Sequence, residues 1–138
     1  MDATVVTNKR EIPASKFFKG LFETVLKDGE IVTAVRFTAP AQAAYEKFRN
    51  PASRYAIVGV FVAKSRDGVK VAVTGAGDDG VFRSKELEAA LAKSFSAAAL
   101  EGINVPARNL MGDLHASPEY RANLIAVMAK RAVAKATA

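Results

Sequence analysis

The apolar pattern is densest from Tyr55 to Ala63, YAIVGVFVA, a run rich in Val and Phe with no charged side chain. An unbroken apolar run of this length predicts a strand covered on both faces, at the centre of a sheet. Lys47, Arg49 and Arg54 stand just before it, so a cationic lead-in passes directly into the core. Alternation marks further strands. Ile31, Thr33, Val35 and Phe37 alternate with Val32, Ala34 and Arg36, and Val69, Val71 and Val73 alternate with Lys70, Ala72 and Thr74. The first set predicts a strand after the Lys27–Glu30 turn, the second a hairpin partner of the central strand across Ser65–Gly68. Asp67 and Gly68 supply residues that tolerate positive φ there. Thr4–Thr7 predicts a short strand closed by Asn8, Lys9 and Arg10. Ile12–Gly20 reads as a brief helical turn or loop, with Pro13 at its start and Gly20 at its end. Residues 41–49, boxed in by Pro40 and Asn50-Pro51, suit either a short helix or a strand.

Helical spacing takes over in the second half. Gly75–Gly80, GAGDDG, reads as a loop, after which Ser84 is placed to cap a helix over Lys85–Lys93 with Leu87 and Leu91 on one face. Phe95–Glu101 predicts a further helical piece stopped by Gly102, and Asn104–Gly112 a connecting loop around Pro106. Ser117-Pro118-Glu119 is a helix start: a capping hydroxyl, a proline at the first position, an acid in the first turn. Tyr120, Leu124, Val127, Met128 and Ala132 give that helix an apolar stripe, with Arg121, Lys130 and Lys135 elsewhere around it. Strands first and helices after predict an α+β fold, an antiparallel sheet of three to four strands with C-terminal helices packed on one face. Phe17, Phe18, Leu21 and Phe22 form the densest aromatic cluster, too short to make a core alone and in need of a surface to pack on.

Composition narrows the chemistry. At 138 residues the chain is one domain, or one domain with an arm. It holds no Cys, which excludes an iron–sulfur cluster ligated by this chain, a zinc ribbon and a thiol nucleophile. The first residues lack a signal-peptide pattern, and the longest apolar run is far short of the roughly 20 residues that span a bilayer. A cytoplasmic protein with no membrane partner is the expectation. The net charge of +6 and pI near 9.7 admit nucleic acid, an anionic cofactor or an acidic partner. The cations are spread along the chain rather than gathered in a tract, so nucleic acid is not favoured. Lys130, Arg131 and Lys135 suit the end of a helix.

Candidate catalytic groups are few. His115 is the one histidine and reads as a loop or packing residue. Asp78 and Asp79 read as a solvated turn, and their charge argues against a phosphate in GAGDDG. Lys47 and Tyr55 are the more informative pair. With 41–49 and 55–64 as adjacent strands, both sit near the Asn50–Ser53 loop, within reach of one ligand. A cation beside an aromatic face suits a planar, electron-rich, anionic cofactor. On composition alone the plainer reading prevails: Lys47 solvated, Tyr55 closing the core.

The segment YEKFRNPASRYAIVGVFVA resembles the start of the C-terminal domain of the FAD-binding medium subunit of molybdenum hydroxylases, the carbon monoxide dehydrogenase and xanthine dehydrogenase family. Upstream, REIPASKFFKGLFETVLKDGEIVTAVRF is similar to the close of that subunit's FAD-binding domain, and downstream SPEYRANLIAVMAKRAVAKA resembles the family's last helix. The resemblance implies an N-terminal arm over 1–37 and a flavoprotein C-terminal domain over 38–138. It implies that Lys47 and Tyr55 lie against FAD, with Val32 a backbone-level neighbour. It also implies a molybdenum-containing large subunit and an iron–sulfur small subunit as partners. The family's two glycine-rich FAD segments, Ala-Gly-Gly and Thr-Ile-Gly-Gly, are not in this chain. The resemblance therefore implies no tight FAD binding by the chain alone, no catalysis alone, and a missing FAD-binding domain as partner. Arg54 departs from the pattern, standing where many relatives carry an acid. Two other readings stay open: a stand-alone basic binding module for an acidic protein or nucleic acid, and a homodimer burying Phe17–Phe22.

Overall fold

The computed structural model describes residues 1–20 and 22–138. They divide into two compact units, Met1–Ala39 and Pro40–Ala138. In the first, strands β1 (Thr4–Thr7), β2 (Glu11–Pro13) and β5 (Val32–Arg36) form an antiparallel sheet in the order β2-β1-β5. β3 (Phe18–Gly20) and β4 (Glu23–Thr24) make a separate hairpin. The expected turn over Ile12–Gly20 is confined to a 3-10 turn at Ala14–Lys16, with a short strand on each side. The unit buries Val5, Ile12 and Phe17, backed by Val25 and Leu26.

The aromatic cluster is not gathered in one place. Phe17 is buried and meets Phe18 edge-on, but Phe18 is 58% exposed and Phe22 fully exposed with φ +59°; Leu21 lies outside the described residues. β5 forms where alternation predicted it, yet every one of its residues is exposed.

The second unit carries the main sheet: β6 (Gln42–Arg49), β7 (Ala56–Ser65), β8 (Gly68–Gly77) and β9 (Gly80–Arg83), antiparallel and adjacent in chain order. Residues 41–49 are a strand because they find a full ladder on β7, from Gln42 opposite Lys64 to Phe48 opposite Val58. Gly75–Gly80 corrects the expectation of a loop. β8 runs on to Gly77 and β9 begins at Gly80, paired across the two-residue turn Asp78-Asp79. Both hairpins use one device, two turn residues followed by a glycine at positive φ (Gly68 +110°, Gly80 +99°). Asp67 itself stays out of that region, so the glycine alone meets the requirement.

Alternation sets the core. Val58, Val60 and Val62 of β7 and Val71 and Val73 of β8 share one face and are wholly buried. Each is worth roughly 1.5–3 kcal/mol in transfer free energy. Helix α1 (Lys85–Lys93) adds Leu87 and Leu91; helix α2 (Pro118–Thr137) adds Leu124, Ile125, Met128, Ala129, Ala132 and Val133. The even positions of β6 face α2: Phe48 meets Tyr120 edge-on, Glu46 pairs with Lys135 at 2.7 Å, and Gln42 reaches the Ala136 carbonyl. The α+β expectation, helices on one face of an antiparallel sheet, is what the molecule has.

The two helix starts differ. Ser117 caps α2, its hydroxyl accepting from the Tyr120 amide at 3.2 Å. Ser84 stands at the α1 start but makes no such bond; its buried hydroxyl instead donates to Glu86. A larger correction concerns Arg121. Sequence spacing put it off the apolar stripe, whereas it is buried at 2% exposure among Leu124, Ile125 and Met128. Positions 121, 124, 125 and 128 lie on one helical face, so the stripe is rotated from the one that begins at Tyr120.

Candidate functional site

Odd positions of β6 point away from α2, so Tyr45, Lys47 and Arg49 stand on the helix-free face of the sheet. The β6–β7 connection is ordered by Asn50. Its side-chain oxygen accepts from the Ala52 and Ser53 backbone amides at 2.9 and 3.2 Å, while its backbone N–H donates to the Tyr55 carbonyl at 2.8 Å. Arg54 takes φ +64° to close the loop. Lys47 Nζ donates to the Arg54 carbonyl at 3.2 Å, which places the ammonium beside the Arg54–Tyr55 peptide. Tyr55 is 80% exposed, so it does not close the core. Lys47 and Tyr55 therefore sit at the same end of one ladder. No carboxylate pairs with Lys47, Arg49 or Arg54 among the described residues. This end of the sheet is cationic, open and aromatic. Val32 is on β5 of the first unit, opposite Thr7 and 39% exposed.

Beneath the same end lies Arg121, which sequence spacing had put off the apolar stripe. The β7–β8 ladder stops at Gly59 opposite Thr74. Past that point Arg121 Nη1 donates to the carbonyls of Ile57, at 2.5 Å, and Gly75, at 2.9 Å, while Nη2 pairs with Asp113 Oδ2 at 2.7 Å. Asp113 accepts from the His115 and Ala116 amides with its other oxygen, at 2.9 and 3.0 Å. Those amides, the His115 one foremost, and the Arg121 charge hold its carboxyl below the usual range. The guanidinium thus replaces missing ladder bonds and fixes where β7 leaves the Tyr55 loop. The signal was present in the sequence: Arg121 lies at i−3, i−4 and i−7 from Leu124, Ile125 and Met128.

Other candidates separate from this site. His115 is exposed in a loop, and Asp78 and Asp79 form an exposed turn. Among the described residues no group of three or more His, Cys, Asp or Glu is arranged to hold a metal, and no helix is long and apolar enough to cross a membrane. A cavity of about 270 Å³ beside the β8–β9 turn is lined by Asp78, Asp79, Arg83 and Arg108 among others, and it includes neither Lys47 nor Tyr55.

A small β unit followed by a four-stranded antiparallel sheet backed by helices is an architecture with solved counterparts. No family model matches the chain. The fold is that of one chain in the crystal structure of quinoline 2-oxidoreductase from Pseudomonas putida 86, with a TM-score of 0.75 over 98% of this chain and 52% of that one, at 22% identity. In sequence the chain is 28% identical over 140 residues to the carbon monoxide dehydrogenase medium chain of Hydrogenophaga pseudoflava, covering 91% of this chain and 47% of the relative. The chain is therefore homologous to the medium chain of carbon monoxide dehydrogenase over most of its length, as the sequence resemblance implied. It spans about half the length of the proteins it matches.

Proposed function

We propose that the chain is the C-terminal portion of the FAD-binding electron-transfer subunit of a molybdenum hydroxylase of the carbon monoxide dehydrogenase type, and that it supplies one wall of the flavin site. The observation that carries this reading, beside the homology, is the helix-free end of β6 and β7. There an ammonium without a carboxylate partner among the described residues and an exposed tyrosine lie at one end of one ladder. The chemistry of that set fits the cofactor. FAD, when bound, accepts electrons and passes them to an acceptor. Lys47 would favour the negative charge of a reduced flavin, and Tyr55 would cover a face of the ring and exclude water. Residues 1–37 correspond in this reading to the end of the FAD-binding domain and 38–138 to the C-terminal domain. The partners are the rest of that domain, a molybdenum-containing large subunit and an iron–sulfur small subunit.

The test is co-expression with the FAD-binding half of a related medium subunit. The chain purified alone is expected to carry no stoichiometric flavin, and the complex to retain about one flavin per pair. Stoichiometric flavin on the chain alone, or no association with the other half, would overturn the proposal.

A further inference from the structure

Gly59 interrupts the apolar run of the central strand, and the structure shows what its missing side chain makes room for. A Cβ at Gly59 would lie 2.1 Å from Tyr45 Oη and 2.5 Å from Thr74 Oγ1. Tyr45 therefore lies across the β7 backbone from its place on β6, and its hydroxyl meets Thr74 on β8 at 3.1 Å. Thr74 Oγ1 is in turn 3.4 Å from the Gly59 carbonyl, so the threonine donates there and accepts from the phenol. The ring spans three strands and remains 40% exposed. Lys47 is the register partner of Gly59. Residues two apart on a strand share a face, so Tyr45 and Lys47 stand together on the helix-free side.

We infer that Tyr45, fixed by Thr74 over the Gly59 notch, is a further binding residue of the cofactor wall, the stacking surface on which the planar ring system rests beside Lys47. The inference rests on the flavin reading above and deepens it. A half-exposed aromatic ring whose tip is already hydrogen-bonded loses little freedom when a second ring covers it, and offset stacking adds to the area buried. Tyr55, on the loop, then covers a further part of the same ring system, and Lys47 lies between the two aromatics.

The chain has three tyrosines, and the third provides the control. Tyr120 is on α2 against Phe48, on the opposite side of the sheet. FMN is titrated to millimolar concentration into the whole chain carrying labelled tyrosine rings, and ring resonances are followed by NMR. Saturable upfield shifts at Tyr45 and Tyr55, with Tyr120 unmoved, are expected. A shift at Tyr55 alone would overturn the role of Tyr45 and leave the flavin reading standing. No shift at either would overturn the role of Tyr45, and equal shifts at all three would mean unspecific stacking and overturn it as well. Gly59→Ala gives an independent arm, because the added methyl displaces the phenol without removing it. FMN affinity is expected to fall about five-fold in Gly59→Ala and in Tyr45→Leu, and to stay within about two-fold in Tyr45→Phe, which keeps the ring. Unchanged affinity in both Gly59→Ala and Tyr45→Leu would overturn the inference.

Discussion

Among the described residues, three apolar side chains are buried together in the first unit, Val5, Ile12 and Phe17, against twenty in the second. What the first unit has instead is a polar centre. Glu30, with its side chain sealed from solvent, accepts from Arg10 Nε at 2.8 Å, Arg10 Nη2 at 3.0 Å, the Lys27 amide at 3.0 Å and the Thr7 hydroxyl at 2.9 Å. Arg10 also reaches the Val25 carbonyl, and Asn8 bonds both Ile31 and Gly29. The contrast teaches what each kind of contact does. Burial of apolar surface drives folding, whereas an ion pair on a buried carboxylate mainly fixes geometry, since desolvation offsets much of its attraction. The second unit is held by its core. The first is shaped by Glu30 and leaves Ile31, Val35, Phe37, Phe18 and Phe22 open to solvent.

The largest expected effects fall in the second unit. Ile125→Ala removes a wholly buried side chain at the centre of the cluster and should cost about 3–4 kcal/mol in urea unfolding. Arg121→Ala leaves the Ile57 and Gly75 carbonyls without their donor and should cost about 3 kcal/mol. A loss under about 1 kcal/mol in either variant would mean the core is not organised around α2 as described.

Next in size is a difference between the units. Native-state hydrogen exchange should show the β1 and β5 amides opening at far lower free energy than those of β7 and β8. Glu30→Gln should abolish protection in β1 and β5 while leaving β7 and β8 unchanged. Equal protection in both units would break the contrast.

Acid should act on the same divide. The Arg10 hydrogen bond, foremost, and the Lys27 and Thr7 donors lower the Glu30 carboxyl from 4.5 to about 2. A carboxyl depressed in the folded state contributes stability that is complete above its unfolded value and lost as pH falls. The first unit should therefore lose protection between about pH 4.5 and pH 2. Glu30→Gln should remove most of that pH dependence; a profile identical to the parent's would refute the assignment. The smallest effect is Ser117→Ala, which deletes the α2 cap and should cost about 1 kcal/mol by thermal unfolding.

How far the sequence could be read follows from the same physics. β5, β7, β8, α1 and α2 were legible because period and local signals agreed: alternation, an Asp-Gly turn, a Ser-Pro-Glu start. β9 was not, because four residues that begin with the last glycine of a Gly-Asp-Asp-Gly tract carry too little pattern to outweigh their turn chemistry. Residues 41–49 stayed open between helix and strand, since only the ladder to β7 decides it. That Lys47 and Tyr55 share one end of the sheet was conditional on that choice, and the Asn50–Tyr55 bond closes the condition. Tyr45 over Gly59 could not be read, because it depends on the register of three strands. Glu30 was hidden for the opposite reason: a Lys-Asp-Gly-Glu tract reads as a solvated turn, and nothing local tells its last acid to point inward at Arg10.

The proposed flavin wall depends most heavily on Lys47 facing the ring. Its most direct test is the flavin reduction potential in the complex of this chain with an FAD-binding half, measured for the parent and for Lys47→Met. Loss of a cation beside the reduced ring should lower the two-electron potential by roughly 30 mV, the equivalent of about 1.4 kcal/mol. An unchanged potential in a complex that still retains its flavin would contradict the claim.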